Sequence, residues 1–500
     1  MTGRRRSALV GPVLVLATLV SSIISSFGAP LIPTVARDFH ESLSTAQWSL
    51  TVALLVGTVS SPVLGRLGDG PRRRVTMLGS LVVVTAGGVV AALAGGLGML
   101  LVGRGLQGVG LGMAPLAMAT ARAELPQAKV PSMIALLSVS SAAGLGAGYP
   151  ISGLIAGAWG LAGAYWFGAI VSGFALICVV AVVPSSAGRG TPNRLDWVGT
   201  VLLALALVTA LVAVAERTEW GWGSPAIIGL LAAGVVLFAV WAVQQLRTEN
   251  PLVQLRLLRH PSVLSGDACA MVLGVAMYMV LSGVTEFVQS PRSGGFGFSA
   301  SAVVAGLVLI PLSMFMLSSS RTLPALVARA GSRAVLTLGC LVAALGCGFF
   351  AVFHGALWQA FVMTGVLGVG LGTTFAAIPG LIVQAVPARE TGSAIGFFQV
   401  VRFTGYSMGS ALTTTILAAH ATGNGQPTVG GYTMVLWISA GICVAAAALA
   451  WFLPARPTQL TPAEHLPADE TRLLEQTDGD DLSDLSSWAV PRPDDPRQRP

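Results

Sequence analysis

Gly108-Val109-Gly110-Leu111-Gly112 recurs as Gly368-Val369-Gly370-Leu371-Gly372, 260 residues further on, and both copies lie inside long apolar runs. A repeat of that kind, in a chain made mostly of such runs, marks a duplicated bundle of membrane helices. Composition points the same way: 54% of residues are hydrophobic, only 10% are charged, 61 are glycine, and mean hydropathy is +0.78. Glycine suits membrane helices because it lets neighbouring backbones approach. The runs stay apolar over about 20 residues or more, as spanning helices do, whereas barrel strands would alternate over roughly 10.

Charged, Pro-rich and Gly-rich breaks divide the chain into fourteen predicted helices: 8–33, 46–66, 75–95, 98–120, 131–157, 160–183, 197–215, 225–245, 262–289, 299–319, 334–353, 357–384, 392–418 and 431–453. The first follows Arg4, Arg5 and Arg6 and is long enough to be a signal-anchor span. Lys and Arg concentrate in cytoplasmic loops. On that rule Arg4, Arg5, Arg6, Arg66, Arg72, Arg73, Arg74, Arg122, Lys129, Arg189, Arg194, Arg247, Arg256, Arg259, Arg321, Arg329, Arg333 and Arg389 face inward, against Arg37, Arg217 and Arg292 outside. An even count places both termini in the cytoplasm of a multi-pass cell-membrane protein.

The expected division is a cytoplasmic N-terminus 1–7, a six-helix bundle 8–184, two inserted linker helices 195–246, a second six-helix bundle 261–454, and a cytoplasmic tail 455–500. The tail, rich in Pro, Asp and Ser, reads as disordered. It holds 5 basic and 10 acidic side chains within a chain of net charge +7. The basic excess therefore belongs to the loops and reflects topology, not affinity for nucleic acid.

All five cysteines, Cys178, Cys269, Cys340, Cys347 and Cys443, fall in apolar segments without metal-ligand spacing, so no metal site or disulfide is expected. Gly144-Leu145-Gly146-Ala147-Gly148 lacks the preceding strand and the Gly-Lys-Ser/Thr ending of a phosphate loop. Nucleotide hydrolysis and cofactor chemistry are thus not expected, and energy must come from an ion gradient or the substrate's own.

The loop Gly65-Arg66-Leu67-Gly68-Asp69-Gly70-Pro71-Arg72-Arg73-Arg74 sets a carboxylate at a helix end before three cations. It resembles the cytoplasmic signature of the major facilitator superfamily, Gly-x-Leu-x-Asp-Arg-x-Gly-Arg-Arg, with Gly70 in place of an Arg and Arg72 in place of a Gly. The resemblance implies a cytoplasmic lock of Gly65, Asp69, Arg72, Arg73 and Arg74. A worn copy, Leu326 to Arg333, has Ala328 where the carboxylate would be.

Segment 98–120 carries Arg104 and, three residues on, Gln107-Gly108, similar to the superfamily's helix-4 motif, whose Arg is associated with proton coupling. Arg104 and Gln107 share a helix face, and a guanidinium at membrane depth needs partners or a cavity. The position 260 residues on is Thr364, so this cation was not duplicated. Gly144, Gly148, Pro150 and Gly153 in segment 131–157 resemble the antiporter stretch of the same superfamily, with Tyr149 and Leu154 as departures. Proline removes a backbone donor and gives the helix a place to bend, while generic close packing is the other reading of the glycines.

Fourteen helices, Arg194-Leu195-Asp196-Trp197-Val198-Gly199, Glu249-Asn250-Pro251-Leu252-Val253-Gln254-Leu255, Gln47-Trp48 and Gln289 together resemble the 14-helix drug:proton antiporter branch, over about residues 10–454. The fold implied is all-α, two six-helix bundles plus the linker pair. That branch's carboxylate in the first helix is absent, since Ile24 occupies its place.

The polar groups left at membrane depth are Arg104, Gln107, Arg402, Gln399, Asp267 and Glu286. Gln399 and Arg402 share a face, with Arg402 roughly 15 Å from the start of its helix at 1.5 Å per residue. Arg104, Gln107, Glu286 and Asp267 are the candidates for proton coupling, and Gln399 and Arg402 for the cavity. A carboxylate facing the cavity can carry protons; ion pairing or interfacial exposure is the alternative for each. The expected function is proton-coupled export of amphipathic small molecules such as drugs, antibiotics or secondary metabolites by alternating access, with no enzymatic activity. The partners are substrate, protons and the lipid bilayer. The alternatives are a nutrient or anionic-metabolite permease of the same fold and a non-transporting sensor that signals through its tail.

Overall fold

A computed structural model describes residues 3–27, 31–184, 195–216, 220–221, 223–292, 296–422 and 427–452. The tail 455–500, Arg194 and Arg217 lie outside the described residues. The regular structure among the described residues is helical, apart from a single bridge between Ala421 and Pro427. The helices are α1 (Gly3–Ser26), α2 (Ile32–Asp38), α3 (Leu43–Gly68), α4 (Arg73–Ala92), α5 (Leu97–Gly108), α6 (Met113–Glu124), α7 (Val130–Val182) and α8 (Trp197–Ala215). They continue as α9 (Pro225–Arg247), α10 (Pro261–Gln289), α11 (Ala302–Leu307), α12 (Ile310–Val352), α13 (Leu357–Ala385), α14 (Thr391–Ala419) and α15 (Val429–Trp451).

Among the described residues, ten stretches are long and apolar enough to cross a membrane. Two of them, containing α7 and α12, are each a pair of helices turning back at one residue, Gly160 (φ 70°) and Gly331 (φ 79°). Only glycine enters that left-handed region without strain. With α8 and α14 added, a helix stands at every one of the fourteen predicted segments.

Three boundaries differ from expectation. α1 stops at Ser26 instead of running to residue 33, and a separate short helix, α2, starts with Pro33 in its first turn. Proline fits a first turn, where its missing N–H is no loss, but cannot continue a helix from inside. Residues 320–330, expected as a loop, extend α12 as helix up to Gly331. Segment 98–120 is not one helix: α5 passes into a 3₁₀ turn at Val109–Gly112 and then into α6.

That 3₁₀ turn is the first Gly-Val-Gly-Leu-Gly; the second copy stays α-helical within α13. The outer glycines of both copies seat against equivalent neighbours. A Cβ on Gly108 would lie 2.3 Å from the carbonyl oxygen of Ala53 in α3, and one on Gly368 2.6 Å from that of Leu312 in α12. The middle glycines part company, Gly110 facing Ser21 and Ser25 of α1, Gly370 facing the backbone of Gly339 and Ala343 on the returning arm of α12.

In the first half, α1 and α4 pack on α7, and α3 on α5 and α6; in the second, α10 packs on α14 and α15, and α12 on α13 and α15. The halves meet along two seams, α7 against α12 and α13, and α3 and α6 against α14. α8 and α9 pair with each other and lean on both α3 and α14. Trp241 of α9, fully buried, stacks on Phe397 of α14 at 6.2 Å and fixes that lean.

Candidate functional site

The basic end of the bundle is closed by a clamp between the halves. Gly65 and Gly392 bring α3 and α14 backbone to backbone, so that a Cβ on either would fall 2.1 Å from the other's carbonyl oxygen. Beside this contact the Asp69 carboxylate accepts from the backbone N–H groups of Gly392 (2.6 Å) and Ser393 (2.8 Å). The first turn of a helix leaves N–H groups without intrahelical partners and carries positive partial charge. Asp69 thus caps α14 from the other half. Burial pushes its carboxyl up to about 8, with Glu390 adding to the rise and the two N–H donors and Arg66 opposing it.

Two more residues reinforce the clamp. Arg66 donates to Glu390 at 2.7 Å, both side chains almost wholly buried. Arg122 donates to the carbonyl of Val386 (3.1 Å) and to Thr391 Oγ1 (2.7 Å). Of the other expected lock residues, Arg73 donates to the Gly68 carbonyl and lies 3.9 Å from Glu124, and Arg74 donates to the Val180 carbonyl. Arg73 and Arg74 brace the first half from within, and Arg72 precedes α4 as its N-cap. Sequence reading gives Arg66 and Arg122 only as inward-facing cations and does not single out Glu390, although an acid just ahead of Thr391-Gly392 is a helix-start signal.

The linker pair is tied to this clamp. Asp196 caps α8 through the Gly199 N–H and accepts from Gln244 and Gln245, while Gln245 accepts from the Val253 N–H. The same strip of chain reaches the clamp, where Gln254 donates to Glu390 (3.2 Å) and Ser393 to the Leu252 carbonyl (2.9 Å). At the opposite end Trp48 donates to Glu216 at 3.1 Å.

Arg104 is fully buried and every hydrogen bond found for it lies within the first half. Its guanidinium donates to the carbonyls of Ile24 (3.1 Å), Ser25 (3.1 Å) and Ser49 (3.0 Å) and to Gln107 Oε1 (2.7 Å), with the Tyr165 ring 5.9 Å away. Ile24 and Ser25 sit in the last turn of α1, where a helix runs out of N–H partners for its carbonyls. Arg104 donates to both, in addition to the Phe27 N–H that Ile24 accepts at 3.2 Å.

Arg402, equally buried in α14, is placed differently. Its one hydrogen bond, to Ser141 Oγ, is 3.4 Å long, and Nε and Nη1 have no partner. Four rings surround it, Phe375, Phe398, Phe403 and Tyr406, with centroids 5.5–5.8 Å from the guanidinium carbon. Gln399, one turn before, is also buried with Nε2 unpartnered.

A cavity of about 110 Å³, partly open to solvent, lies between α3 and α14 on the side remote from the clamp. Gln47, Thr51 and Thr58 line it from α3, Phe403, Tyr406, Ser407 and Ser410 from α14, Tyr278 from α10 and Leu211 from α8. Asp267 and Glu286 are not part of it. Asp267 is buried with Oδ1 unpartnered, and Glu286 is exposed near the end of α10.

The Gly144–Gly153 stretch runs along the seam. Gly144 and Gly148 abut α1 at Ser22 and Ser26, and Pro150 lies against Gly306. Tyr149 and Tyr278 share a hydrogen bond across the halves at 3.4 Å. Gly153 is half-buried. The helix keeps its course through Pro150 and breaks only at Gly160. The described residues hold no cluster of three or more His, Cys, Asp or Glu side chains that could bind a metal ion.

The sequence model of the Major Facilitator Superfamily matches residues 14–410. The chain is 27% identical over 396 residues to the tetracenomycin C resistance and export protein of Streptomyces glaucescens, covering 78% of this chain and 72% of that one. It is also 27% identical over 403 residues to the multidrug resistance protein Stp of Mycobacterium tuberculosis, covering 79% and 73%. The fold resembles the crystal structure of the human organic anion transporter MFSD10 (TETRAN), with TM-score 0.63 and 14% identity over 90% of this chain and all of that one.

Proposed function

The chain belongs to the Major Facilitator Superfamily, and we propose from that premise that it exports amphipathic small molecules, drugs or antibiotics among them, by proton-coupled alternating access. One observation carries this: α3 and α14 touch backbone to backbone at the basic end and flank a partly open cavity of about 110 Å³ toward the other. Taken with the positive-inside rule, the basic end is the cytoplasmic one, both termini lie in the cytoplasm, and this conformation is closed to the cytoplasm. Residues 8–184 and 261–454 are the two moving bodies, with 195–246 as the pair bridging them. The names of the two bacterial relatives support export of antibiotics and drugs.

Opening to the cytoplasm requires Gly65 and Gly392 to part, α14 to lose its cap Asp69, and Arg66 to leave Glu390. A substrate drives that exchange only by binding the two states unequally. The cavity offers area and a few hydroxyls and amides, the usual basis of broad recognition. For the proton, Asp267 is the better placed carboxylate, since it is enclosed with a free oxygen while Glu286 is exposed. Arg104 acts in this reading as the pin that holds α1, α3 and α5 together.

Everted membrane vesicles test the proposal: a fluorescent substrate should accumulate on making a proton gradient and leak on adding an uncoupler. Accumulation indifferent to the uncoupler would sink proton coupling. Uptake of anionic metabolites is the second reading, favoured by the unpaired Arg402, and the direction of net flux separates the two. A chain lacking 455–500 should keep its flux, whereas a sensor would lose its output.

A further inference from the structure

The side of Arg402 and the side of the cavity share a wall. Phe403 and Tyr406 line the cavity and also belong to the four rings around the guanidinium. Tyr278 extends that wall, its ring 5.6 Å from Tyr406, and Phe403 lies 5.7 Å from Tyr406 on the other flank. Behind the rings stand two guanidinium nitrogens and the Gln399 amide nitrogen, all buried donors without an acceptor. Among the described residues no carboxylate is within ion-pairing distance of Arg402.

A cation at membrane depth is kept only where something offsets its desolvation. Ring faces offset part of it. They do not satisfy N–H donors, and an anion does both. Among the described residues the cavity lining contains no charged side chain, and the cation behind that aromatic wall is Arg402. The aromatic surface in turn favours a planar ring system over an aliphatic one.

We propose that the cavity takes planar aromatic molecules bearing a carboxylate or phenolate, the skeleton lying on Tyr278, Phe403 and Tyr406 and the negative group drawing Arg402 and Gln399 out from behind them. This rests on reading the chain as a transporter of small molecules.

The test is equilibrium binding to the purified full chain in detergent, with anthraquinone-2-carboxylate and its methyl ester as paired probes and ethidium as the cationic control. The native protein should bind the carboxylate at least about tenfold more tightly than the ester, a difference worth roughly 1.4 kcal/mol. Arg402→Gln should erase that preference while ester binding stays within about twofold, and Arg402→Lys should keep most of it. Equal affinity for the two probes in the native protein overturns the proposal without recourse to any variant. So does a preference that survives Arg402→Gln, or tighter binding of ethidium than of the carboxylate. Export of neutral or cationic compounds in vesicles alongside equal probe affinities would leave the exporter reading standing and remove this one alone.

Discussion

Two arginines, each wholly buried in apolar helix, show how differently one side chain can be accommodated. Arg104 donates to three carbonyls and an amide within one half of the molecule. Arg402 has four aromatic rings, one long bond to Ser141, and two nitrogens with nothing to donate to. The first is a finished interaction and the second an unfinished one. Burial alone therefore says little about whether a membrane arginine serves the fold or the cargo; the number of acceptors it has found says more.

The largest expected effect lies on the finished side. Arg104→Met takes a donor from the Ile24, Ser25 and Ser49 carbonyls and from Gln107 Oε1; Ile24 keeps the Phe27 N–H and Ser49 lies inside α3, while each buried acceptor left unpaired costs about 1–3 kcal/mol. A loss of at least ~2 kcal/mol is expected, visible as a lower melting midpoint and a lower yield of monodisperse protein. A variant that melts with the parent would show that Arg104 does not hold α1 in place.

Next in size is the clamp. Arg66 and Glu390 are both buried, so Glu390→Gln leaves a cation without its counter-charge at a cost of about 3 kcal/mol. That cost falls on the closed conformation only. Spin labels at the exposed positions Lys129 and Arg329, near the basic ends of the two halves, should report a larger population at long distance in Glu390→Gln than in the parent. An unchanged distance distribution would mean that the pair does not set the closed state.

How much of this was open to reading before the structure follows from the range of the interactions concerned. Helix positions, the break glycines' neighbourhoods and the Arg104–Gln107 pair are local, carried by hydropathy or by a three-residue spacing, and they came through. Asp69 was legible as a helix-end carboxylate, but its partners Gly392 and Ser393 lie more than 300 residues away. Arg122 reads from sequence only as an inward-facing loop cation, and nothing local to Glu390 signals Arg66, 324 residues away. Two of Arg104's acceptors, the Ile24 and Ser25 carbonyls, are hidden differently: they depend on α1 ending at Ser26, where the predicted helix runs on to residue 33. The loop predicted at 320–330 failed because helices can outlast the membrane, and only Gly331 marks the true turn.

Asp69 sharpens the clamp through pH. Closed, its carboxyl is pushed up to about 8 by burial and by Glu390, against the pull of Arg66 and two N–H groups. Released to solvent it should return to an ordinary value of about 3.9. Between those limits the closed state holds a proton that the open state does not. Acidification from pH 8 toward pH 4 therefore favours closure, and above pH 8 the cost of burying an ionised group weighs against it. The same labels should show closure increasing as pH falls, and Asp69→Asn should flatten the dependence. Closure that increases with pH would reverse the assignment.

The smallest effect is expected on the unfinished side, and it bears hardest on the contrast between the arginines. Arg402→Met replaces a buried, poorly paired cation by an unbranched apolar side chain among Phe375, Phe398 and Phe403. Removing such a charge leaves no acceptor stranded except a weakly held Ser141 hydroxyl, and methionine sulfur packs well on ring edges. Swaps of this kind are neutral or stabilising. The melting midpoint should stay level or rise, within ~1 kcal/mol of the parent, in the same assay in which Arg104→Met falls. A large loss in Arg402→Met would mean that the rings alone anchor that cation to the fold. The two arginines would then be alike in kind, and the vacant donors of Arg402 a by-product of packing.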